Sequence, residues 1–118
     1  MTKEYGDYVY DIVEAMNDIC DFVGGMNYAQ FANDKKTVNA VIRSLEVVGD
    51  AAKRIPEEFR IKYPDVPWKK MTAMRDKLIH HYTGVDLEIV WIVITEEITP
   101  LIPIPIFTNI VLDLENNK

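Results

Sequence analysis

The chain has 118 residues, 48% apolar and 27% charged, the balance expected of one globular domain with one core. Its formal net charge of −6 argues against a protein that holds nucleic acid over a broad surface, because such binding comes mainly from neutralised phosphates. The lone cysteine, Cys20, excludes an intramolecular disulfide and no cysteine and histidine spacing suits a zinc site, so a reducing compartment is expected.

In chain order, Tyr5, Tyr8, Val9, Ile12, Val13, Met16, Ile19 and Val23 recur at three- and four-residue steps. This predicts a first helix over about 4–23, closed at Gly24-Gly25 by a left-handed cap. Asn33 or Asp34 caps a second helix whose stripe runs Val38, Val41, Ile42, Leu45, Val48, Ala52 and Ile55 up to Pro56. Gly49 inside it costs roughly 1 kcal/mol against alanine and marks a close approach between helices. Pro56 to Arg60 reads as a short helical turn, and Tyr63-Pro64-Asp65-Val66-Pro67 as an extended elbow, since a residue before proline is pushed out of the helical region.

Trp68 to Tyr82 forms a third main helix ended by Gly84, and Asp86 caps a fourth from Leu87 to about Ile98, ahead of Pro100. The β-branched run Ile89 to Ile94 would also suit a buried strand, but no partner strand precedes it. Beyond it, Pro103 and Pro105 remove donors and block a regular helix, so about 100–118 should be extended or irregular, with the end frayed. The expected fold is all-α, an up-and-down bundle of four main helices plus a short helix and an irregular C-terminal segment, with 1–118 as one domain. Met1 to Asp11 is polar and mixed, and the run Ile89 to Ile94 is far too short to cross a bilayer, so no membrane partner and a cytoplasmic location are expected.

Charge is uneven. Residues 1–34 carry one base against seven acids and 84–118 one against six, whereas 53–81 hold eight bases against four acids. An anionic ligand therefore belongs to the middle of the chain, although lysines on a solvated helix face would give the same count. The same region holds Arg75, His80 and Tyr82 within eight positions. Arginine is always charged and matches phosphate geometry, and histidine exchanges protons near neutral pH, so the pair suits phosphodiester chemistry.

At 100° per residue with Arg75 at zero, Met71 falls at about −40°, Leu78 at about −60°, Ile79 at about +40° and Tyr82 at about −20°. Arg75 thus lies in the middle of an apolar arc. Such an arginine either lies at the core edge or pairs with an acid such as Glu46 or Asp50, or else the arc is an oligomer seam or cleft where it meets a ligand. His80, at about 140°, is four residues beyond Asp76, which can accept from its ring and set its tautomer. Arg75 and His80 are about 7.5 Å apart along the axis and do not share a face, so two copies across a twofold axis could aim both at one phosphate more easily than one helix can. His81, at about −120°, fits a core-edge or capping role.

Arg75-x4-His80-x-Tyr82, followed by Gly84-Val85-Asp86 and Ile89-Val90-Trp91, resembles the HEPN superfamily, and more narrowly its HepT-like toxins. Ile42 to Lys53 resembles that family's second helix and Tyr63 to Trp68 its elbow, so the resemblance covers most of the chain; Pro103 and Pro105 depart from the family's final helical stretch. The resemblance implies a helical, metal-independent ribonuclease that dimerises around a cleft, with Arg75 and His80 active and Asp76 as the polar residue after the arginine. It also implies a partner, a minimal nucleotidyltransferase antitoxin that transfers AMP from ATP onto Tyr82, and no cofactor for the ribonuclease itself.

The chemistry fits those residues. A ribose 2′-hydroxyl attacks its own phosphate if one imidazole takes the proton and a second protonates the leaving oxygen, each step contributing typically 10²- to 10⁴-fold. The His80 side chains of two subunits would be base and acid, and Arg75 would neutralise charge on the phosphorane oxygens. Lys69, Lys70 and Lys77 could hold flanking phosphates as weak, screened contacts. The alternatives are a non-catalytic HEPN subunit that binds nucleotide or positions a nucleotidyltransferase, and a purely structural bundle; the intact Arg75 and His80 favour the nuclease.

Overall fold

The computed structural model describes residues 5–79 and 86–101, with the backbone alone for Tyr5, Arg75, Lys77 to Ile79 and Leu101. Among the described residues six α-helices run in chain order: α1 Tyr5–Val23, α2 Tyr28–Ala32, α3 Lys35–Lys53, α4 Glu57–Lys62, α5 Trp68–Ile79 and α6 Leu87–Ile92. A π-helical turn, Val93–Ile98, and a 3₁₀ turn, Thr99–Leu101, continue α6. Among the described residues there is no strand, and the all-α expectation holds.

Each main helix forms for the reason its sequence announces. Of the predicted α1 stripe, Val9, Ile12 and Ile19 are at 0% exposure and Met16 at 1%, while Tyr8, Val13 and Val23 pack half-buried against the same core. The helix closes where glycine permits it: Gly25 has φ 78°, and the Met26 amide donates to the Val23 carbonyl at 2.8 Å. Asp34 caps α3, its carboxylate accepting from the Thr37 amide at 3.1 Å, and that hydrogen bond holds the Asp34 pKa below its usual range. The α3 stripe Val38, Val41, Leu45, Val48 and Ala52 is buried, and Gly49 is buried with it. Helix α3 is the centre of the bundle, packed along its length against α1 on one side and α5 on the other.

Two features depart from the sequence expectation. The segment between α1 and α3 contains a helix of its own, α2, held by a capping box in which the Asn27 side chain accepts from the Gln30 amide while the Gln30 side chain accepts from the Asn27 amide. It exists to place Phe31, fully buried, and Tyr28 against Trp91, with ring centroids 5.2 and 6.2 Å away. The fourth main helix starts as expected, Asp86 accepting from the Glu88 and Ile89 amides, but after Ile92 its ladder widens to the π form. The Thr99 amide reaches back five residues to the Ile94 carbonyl, and the Thr99 hydroxyl donates to the same oxygen at 2.8 Å. Pro100 has no N–H with which to close an α-helical ladder on Glu96. The expected irregular tail beyond Leu101, and Tyr82 and Gly84 at the end of the third main helix, lie outside the described residues.

Between α3 and α5 the chain turns through a built corner. The Arg60 guanidinium, carried on α4, donates from Nε to the Ile55 carbonyl at 3.0 Å and from Nη2 to the Ala52 carbonyl at 2.6 Å, so it closes the C-terminal end of α3. The Trp68 indole donates to the Tyr63 carbonyl at 3.0 Å, and Phe59 packs on both rings, 5.1 Å from Tyr63 and 6.5 Å from Trp68. The expected elbow is present, but as a turn rather than an extended stretch: the Val66 amide donates to the Tyr63 carbonyl at 3.2 Å and the Trp68 amide to the Val66 carbonyl at 2.8 Å, beside Pro64 and Pro67. Replacing Arg60 by alanine leaves both carbonyls without that charged donor and should lower stability in urea unfolding by about 2 kcal/mol, with Arg60→Lys recovering only part of it. A loss below about 0.5 kcal/mol would show that the corner closes without the guanidinium.

Candidate active site

Helix α5 carries most of the residues that point to chemistry. Trp68, Met71 and Met74 are its buried residues, at 6%, 0% and 1% exposure, and on α-helical geometry they lie at about +20°, −40° and −100° from Arg75. The position of Arg75 therefore falls inside the arc by which α5 packs into the bundle, as the spacing predicts. Its side chain and that of Lys77 lie outside the described residues, as do all of His80, His81 and Tyr82. The expected juxtaposition of Arg75, His80 and Tyr82 is thus neither brought together nor separated by the described residues.

What α5 does place is its flanks. Lys69 and Lys70 are exposed on its first turn, free to meet a polyanion from solvent. Asp76, one residue after Arg75, is exposed and directed at α3, where its Oδ1 lies 3.6 Å from the Lys53 ammonium, the last residue of that helix. Sequence reasoning counted Lys53 among the central bases but did not pair it. The pairing spans 23 positions and two helices, and the only signal for it was that both residues end up near the same corner.

Glu46 and Asp50, the acids of α3 named as candidate partners of Arg75, line a cleft of about 220 Å³ between α1 and α3, and the Arg75 side chain they would meet lies outside the described residues. Tyr8, Asp11, Arg43 and Arg54 share this cleft, with Arg43 3.7 Å from Glu46 and the Arg54 guanidinium 5.9 Å from the Tyr8 ring centroid. This cleft ties α1 to α3 by mixed charges rather than presenting a surface of one sign. A second groove, of about 420 Å³, opens at the corner between Ile61, Pro64, Val66 and Trp68, with Arg60 and Lys69 at its edge. Among the described residues no group of three or more His, Cys, Asp and Glu side chains could hold a metal ion, and no helix is long and apolar enough to cross a membrane.

Comparison with known proteins identifies what this helix belongs to. Residues 12–106 match the HepT-like ribonuclease family, a span that includes the whole of α3, the corner, α5 and the Arg75 to Tyr82 motif. A candidate RNase of Methanocaldococcus jannaschii is 52% identical over 96 residues, covering 81% of this chain and 79% of the relative. A candidate ribonuclease HepT of Thermococcus cleftensis is 45% identical over 101 residues, covering 86% of this chain and 92% of the relative. A candidate RNase of Caldanaerobacter subterraneus is 42% identical over 94 residues, 80% of this chain and 84% of that protein. No solved structure matches the chain. With a helical bundle, a basic central segment and a family match that spans the motif, the chain belongs to the HepT-like ribonucleases.

Proposed function

We propose that this protein is a metal-independent RNA endonuclease, the toxin of a toxin–antitoxin pair, acting as a cytoplasmic homodimer on RNA and silenced by AMP placed on Tyr82. The observation that carries the reading is that the family match extends through Arg75-x4-His80-x-Tyr82, so the two side chains that the chemistry needs stand inside the matched region. The relatives named for RNase activity support the substrate class.

In this reading the 2′-hydroxyl of the substrate gives its proton to one His80, attacks the adjacent phosphorus and displaces the 5′-oxygen, which takes a proton from the His80 of the second subunit. The P–O5′ bond breaks as the new P–O2′ bond forms, leaving a 2′,3′-cyclic phosphate and a 5′-hydroxyl. Arg75 stabilises the charge that builds on the equatorial oxygens, and it needs no change of protonation state to do so. Lys69, Lys70 and Lys77 contribute screened attraction for flanking phosphates, which matters in a chain whose net charge of −6 otherwise repels RNA.

Two copies serve better than one because a single helix does not easily aim Arg75 and His80 at one phosphate, whereas a twofold axis near His80 supplies both groups from both subunits. Light scattering at tens of micromolar should therefore report a dimer. Arg75→Ala and His80→Ala should each abolish RNA cleavage while the helical circular-dichroism signal is kept, His81→Ala should cost far less, and activity should persist in EDTA. Full activity in the His80 variant, loss of cleavage in EDTA, or an active monomer would each contradict the mechanism.

The tyrosine supplies the switch. Tyr82 is seven residues beyond Arg75, about 20° away around a continued helix, so an adenylyl group on its hydroxyl would bring bulk and negative charge to where the substrate phosphate belongs. Arg75 would then be occupied by the modification. Co-expression with the nucleotidyltransferase partner should raise the intact mass by whole AMP increments and suppress cleavage, and Tyr82→Phe should abolish both effects. An unchanged mass beside an active partner would place regulation elsewhere.

A further inference from the structure

The groove at the corner between α4 and α5 is an apolar recess with charge only at its edge. Its volume, about 420 Å³, is in the range of sites that take small organic groups. Ile61, Pro64, Val66 and Trp68 wall it, and Ile61 is 67% exposed, more than any other large apolar side chain among the described residues. Single apolar residues on a surface are ordinary, but Ile61 stands with an exposed Pro64 on the wall of one recess.

The walls are formed before any ligand arrives. Val66 and Trp68 are buried, the Trp68 indole and the Val66 amide both donate to the Tyr63 carbonyl, at 3.0 and 3.2 Å, and Pro64 and Pro67 restrict the backbone around them. Binding there orders little, so little entropy opposes it. Charge then decides the kind of ligand. Among the lining residues two cations, Arg60 and Lys69, stand against one acid, Glu57, in a chain whose net charge is −6. The cleft between α1 and α3 has the opposite balance, with Arg43 and Arg54 among Asp11, Glu46 and Asp50.

An occupant matched to the corner groove has an apolar body and an anion attached to it. Each nucleotide of a single strand has that form, and unstacked bases pack on apolar and aromatic side chains with little regard to sequence. Place favours the same ligand. Trp68 opens α5, and the backbone of Arg75 follows seven residues on, about 10.5 Å along the same helix, so a strand seated in the groove reaches the motif within a few nucleotides. We propose that the corner groove is an RNA subsite, taking one unstacked base of a single-stranded substrate against Ile61, Pro64 and Trp68 with the attached phosphate on Lys69. The proposal rests on the ribonuclease reading above and adds to it a base-binding position outside the motif.

An oligouridylate with 2′-O-methyl sugars tests it, because the blocked 2′-oxygen allows binding to be measured without cleavage. With 4-thiouridine in the strand, irradiation should join the base to residues 61–69, as read by mass spectrometry of the digested complex. Fluorescence anisotropy should show Ile61→Ser raising the Kd by about fivefold and Ile61→Val leaving it nearly unchanged. A strand with the same phosphates but abasic sugars should bind the unsubstituted and Ile61→Ser proteins alike. Since Ile61 is exposed, the thermal midpoint should stay close to that of the unsubstituted chain.

Crosslinks confined to other segments, or an Ile61→Ser protein that binds the oligouridylate as tightly as before, would overturn the proposal. So would an equal loss of affinity for the abasic strand, which would leave no role for the base. Loss of the dimer in light scattering of Ile61→Ser, with RNA affinity unchanged, would give the groove to a second copy of the chain instead. Cleavage of the matching ribose strand, run beside these, separates the two levels. If the unsubstituted protein neither binds nor cuts, the ribonuclease reading fails and the subsite with it; if it cuts while its crosslinks lie elsewhere, only the subsite falls.

Discussion

A helix that ends inside a bundle leaves carbonyl oxygens that need donors, and at the end of α3 the Arg54 and Ile55 amides and one guanidinium supply them. Arg60 donates to the carbonyls of Ala52 and Ile55, so a charged side chain on the following short helix turns the chain and fixes where α3 stops. From that point Phe59, Tyr63 and Trp68 pack as a unit and the Trp68 indole holds the Tyr63 carbonyl, which sets the start of α5. The direction of α5 then follows from burying Met71 and Met74 against α3. Everything that points to chemistry depends on this chain of contacts, because Arg75 and Asp76 have no position of their own apart from the helix that carries them.

The arrangement explains how an acidic chain can act on a polyanion. The described acids of 5–34 and 86–101 belong to α1, α6 and their neighbours, whereas the described bases of 53–79 lie at the corner and along α5. Field from the whole molecule opposes RNA, so productive encounter relies on a local basic surface and weakens steeply as salt rises. Glu46 and Asp50 line the cleft shared with α1, with Arg43 and Arg54, and Lys53 at the end of α3 meets Asp76 of α5.

Most of the architecture was legible because it rests on periodicity and caps. The centres of the α1 and α3 stripes are buried as their spacing requires, Gly25 adopts the left-handed conformation, and Asp34 and Asp86 cap as their positions suggest. The short α2 was missed because five residues are too few for a period, although Asn27 and Gln30 carried the capping-box signal. The π turn was not legible at all, since Val90, Val93, Ile94 and Ile98 keep α-helical spacing and pattern alone gives no warning of a widened ladder. At the site, the motif could be read from residue types, but the Lys53–Asp76 contact could not, because it is created by packing between helices distant in sequence.

The central claim is that two imidazoles and an arginine, supplied by the Arg75-x4-His80 motif of two subunits, cleave RNA by making its own 2′-hydroxyl the nucleophile. The chemistry of the cut ends tests this most directly. Mass spectrometry of the fragments released from an oligoribonucleotide should find 2′,3′-cyclic phosphate on the upstream piece and a 5′-hydroxyl on the downstream one, and the same oligonucleotide with a single 2′-deoxy sugar at the cut site should remain intact there. Fragments ending in 3′-hydroxyl and 5′-phosphate, or cleavage at the deoxy position, would mean that water is the nucleophile and would contradict the account.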